Sequence, residues 1–500
     1  MGSKNSPNIV FIHAESMDGR KMGCMGHAPM HNATPNLDSL ARRGTLFTNA
    51  YSNCPVCNPS RASMWTGKYP HHYDCWNNHE GIGKDVPTFR TAFENAGYRT
   101  AAFGPLDYTY GKHSIRDRVG SWTRTARIHR PISRTPMPQV TEDEDLNGWD
   151  WQNTYRAIDW LRESADSDRP FMLYLTTGLV HPAFSALKKH MDRIDADKIE
   201  IPPGLEDVKE SDHPVDLYQR ITKNCDRKFS EALVREMRHI YFAMIAALDD
   251  MVGRVLQTLG DLGLNDSTYV IFSSDHGEMA GEQNQVLKRT MYESSVHEPL
   301  IVTGPDVCSG SEIETPVSLI DLYPTFLDMA GLEYGDVARG GSFADSLDGQ
   351  SLISLLTGGT SDRRDWVFSE YNGDRCCTGM YMLRRGPWKY IKYVGYEPQL
   401  FNLEKDPWET QNVASENPDI VNELDTILTE NFDPDTIHSR ARQYDRESFQ
   451  QWREQQLAAG TYRDTMARIY SGYDRLCIED IMPWTDDDET RIEAWLAEDD

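Results

Sequence analysis

The sequence predicts an α/β protein with a mainly parallel sheet, followed by a smaller antiparallel sheet. Three observations carry this. Short runs of β-branched and aromatic residues, apolar throughout, recur along the first two thirds of the chain, as buried parallel strands do. Helical patterns with three- and four-residue apolar spacing lie between them. After about residue 360 that alternation stops, and strand-like runs follow one another across short turns.

Taken in order, the strands expected are "NIVFI" (8–12), "YRTAAF" (98–103), "FMLYLTT" (171–177), "TYVIFSS" (268–274) and "PLIVTG" (299–304). The clearest helix runs from about Ser230 to Leu259, where Leu233, Met237, Ile240, Met244, Leu248, Met251 and Val255 share one face. "SLIDLYPTFLDMAG" (318–331) is a second helix, closed by Gly331. "WVFSEY", "GMYMLRR", "WKYIKYV" and "QLFNL", between Trp366 and Leu403, form the small antiparallel sheet. The expected division is an α/β catalytic domain over 1–360, an antiparallel-sheet subdomain over 361–430 and a helical acidic tail over 431–500 packed on or beside it.

The chain has 500 residues and a formal net charge of −27, so phosphates are repelled over most of its surface and nucleic acid is not an expected partner. No apolar run reaches the roughly 20 residues a membrane-spanning helix needs. "MGSKNSPNIVFIHAES" reads as a first strand and not as a signal peptide, so the expected location is cytoplasmic, or exported if a leader was removed. Nine cysteines scattered through a chain of this length do not indicate a disulfide framework.

Polar residues cluster just past the strand ends, where open α/β sheets bind ligands. The first strand runs into His13, Glu15, Ser16 and Asp18, the third into His181, and the fourth into Asp275 and His276. Glu15, Asp275 and His276 offer oxygens and one imidazole, a set suited to Ca²⁺, Mg²⁺ or Mn²⁺; the alternative is that they cap strands and form turns.

The stretch "CPVCNPSRASMWTGKYP" (54–70) holds a C-x-x-C pair, which fits a redox switch, half a metal site or two unrelated thiols. Pro59 and the run up to Gly67 signal a helix, with Cys57 just before it and Cys54, three residues earlier, not on it. A helix start presents free backbone N–H groups and the positive end of the dipole, a natural anion site. Arg61, one turn in, adds a bidentate donor for a sulfate or phosphate oxygen.

"CNPSRASMWTG" resembles the sulfatase signature C-x-P-S-R-x-x-x-x-T-G at all six fixed positions. The flanking motifs follow the family's order: "PNIVFIHAES", "TPNLDSLARRGTLFTNAY", "AGYRTAAFG", "VHP", "SSDHGE", "LKRTMYESSVHEPLI" and "QLFNLEKDPWETQNVA". "GPLDYTYGKHSIRDRVGSWTR", "DWQNT", "HPVDLY" and "TKNC" are most similar to the family's glucuronate-2-sulfatases. The resemblance implies an alkaline-phosphatase-like fold, with a large mixed sheet flanked by helices and a smaller C-terminal antiparallel sheet. It implies hydrolysis of a sulfate ester, here of a 2-O-sulfated uronic acid in a sulfated glycan. A phosphonate or phosphodiester hydrolase on the same scaffold and a non-catalytic sulfated-glycan binder are the alternatives.

In the family, the signature cysteine becomes formylglycine through a formylglycine-generating enzyme, and its hydrate supplies a gem-diol nucleophile. Carried onto this chain, Cys57 is the nucleophile precursor and a metal ligand, beside Glu15, Ser16, Asp275 and His276 around a divalent ion, Ca²⁺ first. Arg61 stabilises the hydrate, Lys288 holds sulfate oxygens, and His181 or a neighbour is the general acid. Two positions depart from the pattern. Glu15-Ser16 replaces the usual Asp-Asp, with Asp18 as a possible substitute ligand. Pro105 stands where a lysine is usual, leaving Lys112 or His113 to fill the gap. Trp76, Asn77 and His79 in "WNNHEG", together with Asp107, Arg124 and His297, are the candidates for reading the sugar and its carboxylate. The basic run "RTARIHRPISR" (124–134) offers them a local positive field.

Overall fold

Strand β1 (Asn8–Ala14) sits inside an eight-stranded sheet because its sequence is apolar on both faces and both faces are covered. Val10 and Ile12 point into one core, Ile9 and Phe11 into the other, as the two-residue period of a strand requires. The computed structural model describes residues 6–108, 115–123, 138–337, 346–471 and 485–497. Lys112, His113 and Arg124 lie outside the described residues, as does the whole basic run 124–134.

The other strands of the large sheet are β2 (Thr45–Tyr51), β3 (Arg99–Phe103), β5 (Phe171–Thr176), β7 (Thr268–Ser274), β8 (His297–Thr303), β9 (Ser311–Ile313) and β10 (Val317–Ser318). Their order is β10-β2-β8-β7-β1-β5-β3, with β9 also on β2. A short parallel pair, β4 (Gln139–Thr141) and β6 (Ser185–Leu187), stands apart from it. β7, β1, β5 and β3 are parallel, whereas β8 runs antiparallel to both β7 and β2. The sheet is therefore mixed, and the apolar runs alone did not show which way β8 runs.

The 31-residue helix Glu231–Asp261 covers one face, burying Val234, Met237, Ile240 and Tyr241 against Val10, Ile12 and Leu173. Trp65, Phe89, Phe93 and Phe326 cover the other. Among the described residues no helix is long and apolar enough to cross a membrane.

Strands β11 (Trp366–Tyr371), β12 (Met380–Arg385), β13 (Trp388–Tyr393) and β14 (Tyr396–Asn402) form the antiparallel sheet. Its inner face packs Val367, Met380, Met382 and Ile391 on Tyr51, Cys54 and Val56, the chain leading into Cys57. Its outer face is closed by Leu424 and Leu428 of the helix Pro418–Asn431. Farther on, Phe449 and Trp452 pack on Val119 and Trp122, so the tail also touches the first part of the chain.

Candidate active site

The carboxyl ends of β1, β5 and β7 and the start of one helix meet at a single buried point. The helix Cys57–Thr66 begins at Cys57, with extended Val56 as its cap, and ends at Gly67 in the left-handed conformation. The loop after Trp76 fixes its start, where the Asn58 N–H donates to Asn78 Oδ1 at 3.0 Å. The Cys57 thiol lies 3.3 Å from Glu15 Oε1 and 3.1 Å from His276 Nε2.

Arg61 is fully buried behind it. Its Nε donates to Asp275 Oδ2 at 2.8 Å, and its Nη1 donates to Thr176 Oγ1 at 2.9 Å and to the Pro105 carbonyl at 2.7 Å. Its Nη2 lies 3.6 Å from Glu15 Oε2. Gly104, with φ +100°, makes the Pro105 contact possible, because a Cβ there would sit 1.8 Å from the Thr176 carbonyl. Pro105 has no side-chain donor, yet its carbonyl helps to orient Arg61.

Burial pushes the Glu15 carboxyl up to about 7, against the pull of Arg61 and with the push of Asp275. Burial works the same way on Asp275, but its neighbours His276 and Arg61, the latter also through a hydrogen bond, outweigh it and hold its carboxyl well below the usual range. Burial lowers His276 to about 3, so the ring is neutral. Its Nδ1 faces the Gly277 carbonyl at 2.9 Å, which assigns the proton to Nδ1 and leaves the Nε2 lone pair facing Cys57. Burial raises the Cys57 thiol to about 12, with Lys288 pulling it back, so the unmodified side chain is a thiol and a poor nucleophile at neutral pH.

Two sets of donor atoms, Glu15–Cys57–His181 and Cys57–Asp275–His276, each gather within 4.8 Å. Two buried carboxylates, a neutral imidazole and the buried Ser16 Oγ, which has no hydrogen-bond partner among the described residues, suit a hard divalent cation. Asp18 does not join them. Its carboxylate is taken by Arg20 at 2.7 Å and lies 3.6 Å from Lys21, so it does not replace the second aspartate.

Lys288 is buried close enough to Cys57 for its charge to act on the thiol, and it sits between Leu287 and Arg289, both with positive φ (66° and 76°). Such conformations are costly for non-glycine residues and concentrate at functional sites. The Arg289 N–H donates to the Pro55 carbonyl at 3.0 Å, tying Lys288 to the chain just before Cys57. His181 is half-buried, with Nε2 4.0 Å from Glu15 Oε1 and Nδ1 hydrogen-bonded to the Pro182 carbonyl. Burial and the Lys288 charge hold its pKa well below the ordinary value.

Of the residues offered to the sugar, Trp76, Asn77, His79 and His297 fall elsewhere. Trp76 is 2% exposed and packs with Tyr69, Ile320, Phe368 and Tyr381, beneath the antiparallel sheet; it is a core residue. Asn77 Oδ1 accepts from the His79 N–H at 2.9 Å within the loop, and His79 Nε2 meets Ser121 Oγ of the helix Ile115–Thr123, so both are buried. His297 opens β8 and is held by Glu293 at 2.9 Å and stacked on Tyr51, inside the contact between the two sheets. Asp107 is half-buried and close enough for its charge to raise Glu15. The sequence reading missed Thr176 and Arg289, although Arg289 adjoins the lysine that it singled out.

Comparison with known proteins agrees with this geometry. The protein-family model described as Sulfatase matches residues 7–332, and that of the N-sulphoglucosamine sulphohydrolase C-terminal region matches residues 281–433. The chain is 36% identical over 495 residues to arylsulfatase K of Mus musculus, covering 94% of this chain and 87% of that protein. A phosphonate monoester hydrolase of Agrobacterium radiobacter superposes with a TM-score of 0.68 at 22% identity, over 85% of this chain and 95% of that one. A structure titled as a 2-O GAG sulfatase superposes with a TM-score of 0.64 at 21% identity, over 85% and 92%. These structural likenesses bear on the fold, which is that of the alkaline-phosphatase-like sulfatases. With its signature cysteine at the mouth of a buried carboxylate–histidine cluster, and with a family match over most of its length, this chain belongs to the sulfatase family and is a sulfuric ester hydrolase.

Proposed function

We propose that this sulfatase is formylglycine-dependent, holds Ca²⁺, and removes the 2-O-sulfate of a glucuronate unit in a sulfated glycan. The observation that carries the reading is the placement of Cys57. It is the first residue of a helix, within 3.3 Å of both Glu15 and His276, with Arg61 behind it. The uronate part rests on the "DWQNT", "HPVDLY" and "TKNC" stretches and on the likeness to arylsulfatase K, and it accords with the fold shared with a 2-O GAG sulfatase.

The Cys57 side chain stands where formylglycine would be, and that group supplies a hydrate with one hydroxyl to attack sulfur and a second whose deprotonation releases sulfate. Glu15, Asp275 and His276, with Ser16 nearby, would hold the metal, which supplies Lewis acidity toward the sulfate oxygens. Arg61 keeps Asp275 ionised and fixes the direction of its carboxylate. Lys288 balances the charge on the sulfate oxygens. His181 stands at the open side and gives a proton to the departing sugar oxygen. Burial and, after it, the Lys288 charge keep this imidazole neutral, and the negative charge of bound sulfate favours its protonated form.

The test is a comparison of substrates on protein matured with a formylglycine-generating enzyme. A 2-O-sulfated glucuronate disaccharide, a 6-O-sulfated glucosamine and a phosphonate monoester are assayed side by side. Faster sulfate release from the glucuronate supports the proposal. Preference for the phosphonate, or indifference to the sulfated position, overturns it.

A further inference from the structure

The stretch "DWQNT" has no part in the chemistry described so far, yet its first residue reaches the site. Asp150 lies in the first turn of the helix Gly148–Ala165 and is buried. Its carboxylate is hydrogen-bonded to the segment that follows β5. Oδ1 accepts the Gly178 N–H at 2.8 Å and Oδ2 accepts the Leu179 N–H at 3.1 Å.

That segment joins two residues of the site. On its opposite edge the Glu15 N–H donates to the Leu179 carbonyl at 2.9 Å, and the Val180 N–H donates to the Glu15 carbonyl at 2.6 Å. The His181 N–H donates to the Gly178 carbonyl at 2.9 Å, so the residue that carries the imidazole is braced on the same peptide that Asp150 grips. The Thr177 hydroxyl closes the turn by donating to the Leu179 carbonyl at 2.9 Å. Asp150 thus holds from outside the backbone that sets Glu15 and His181 4.0 Å apart.

We propose that Asp150 is a positioning residue for the departing sugar oxygen: its two hydrogen bonds fix the 178–181 backbone so that His181 meets the leaving group. The role rests on the assignment of His181 as general acid. A carboxylate suits it because it accepts two backbone N–H groups side by side. An asparagine of the same size keeps one acceptor and turns an amide N–H toward the other donor. The D150N variant therefore removes half of the grip without opening a cavity.

A displacement of about 1 Å in a catalytic group costs up to about a hundredfold in rate, so the effect is measurable. Both D150N and H181Q are assayed on a sugar sulfate, whose alcohol must be protonated as it leaves, and on 4-nitrophenyl sulfate, whose phenolate leaves without a proton. D150N is expected to lower kcat on the sugar sulfate by about tenfold or more, with KM little changed. On the aryl sulfate it should lose much less, as H181Q should. A D150N variant that keeps full activity, or that loses both activities in equal proportion, overturns the inference while H181Q still discriminates between the substrates. If H181Q itself does not discriminate, the acid assignment fails and this inference fails with it. Thermal unfolding of D150N separates a loss of folded protein, which lowers both activities together, from a loss of positioning.

Discussion

Arg61 donates from Nε to the Asp275 carboxylate at 2.8 Å, and neither side chain has any exposed surface. The pair joins the helix that presents Cys57 to the end of β7, and it leaves Arg61 one nitrogen for Thr176 and Pro105 and another near Glu15. A lysine could replace the charge but not the fork. R61K is expected to lose at least about a hundredfold in kcat/KM while remaining folded. R61A leaves two buried carboxylates without their cation and should lose about 3–5 kcal/mol in denaturant unfolding of the metal-free protein. An R61A variant as stable as the parent would contradict this account of the site.

Lys288 is placed by a backbone constraint, because the left-handed residues on both sides and the Arg289–Pro55 hydrogen bond fix where its side chain starts. K288A should lower kcat by about 10²–10³, the cost of removing one preorganised charge at the transition state, with little change in stability. Steady-state kinetics beside a melting curve separate the two effects. A large fall in Tm with kcat retained would mean that the lysine is structural.

Burial first, and the Asp275 charge beside it, make Glu15 costly to ionise and push its carboxyl up to about 7; a bound cation relieves that cost. Calcium should therefore raise Tm, by the equivalent of about 2.7 kcal/mol at a hundredfold excess over Kd, and a chelator should reverse it. E15Q should weaken this response. A Tm indifferent to calcium, magnesium and manganese alike would remove the metal from the mechanism.

Asp348 latches the chain after Gly67, accepting from the Tyr69 N–H at 3.0 Å and from Lys68 Nζ at 3.1 Å, with His72 Nε2 at 3.0 Å. Burial opposes ionisation, but His72, the Tyr69 N–H and Lys68 lower its carboxyl from 3.8 to about 2. The folded pKa is depressed, so the stabilisation is present above pH 4 and is lost as the pH falls toward 2. Allowing for partial exposure, it is worth about 1–2 kcal/mol. D348N should therefore melt below the parent at pH 6, and the gap should narrow by pH 3. A gap that stays constant or widens on acidification would refute the assignment.

The strand "TYVIFSS" coincides with β7 residue for residue, and the Cys57 helix ends at Gly67 as signalled but starts at Cys57 itself, two residues ahead of Pro59. Such features are local, and apolar runs and helix punctuation encode them directly. The direction of β8 was not legible, since a run buried on both faces looks the same in a parallel or an antiparallel neighbour. Trp76 and His297 read as sugar-binding residues because aromatic and polar types mix there; nothing local shows that the antiparallel sheet, some 300 residues later for Trp76, covers the first. His297 does have a local partner, Glu293, four residues before it, and that spacing was the signal to read. Asp150 grips a segment 28 residues away, a relation that exists only in the folded chain.

The central claim is that Cys57, and not Cys54, becomes the nucleophile. Cys54 lies buried against β11 and β12, while Cys57 opens the helix at the carboxylate cluster. Mass spectrometry of the proteolytic peptide holding both residues, from protein produced with a formylglycine-generating enzyme, tests it directly. The account predicts that Cys57 has exchanged its CH₂SH group for an aldehyde or its hydrate, that Cys54 remains a thiol, and that sulfatase activity rises with the modified fraction. An unmodified Cys57 in protein that still releases sulfate would contradict it.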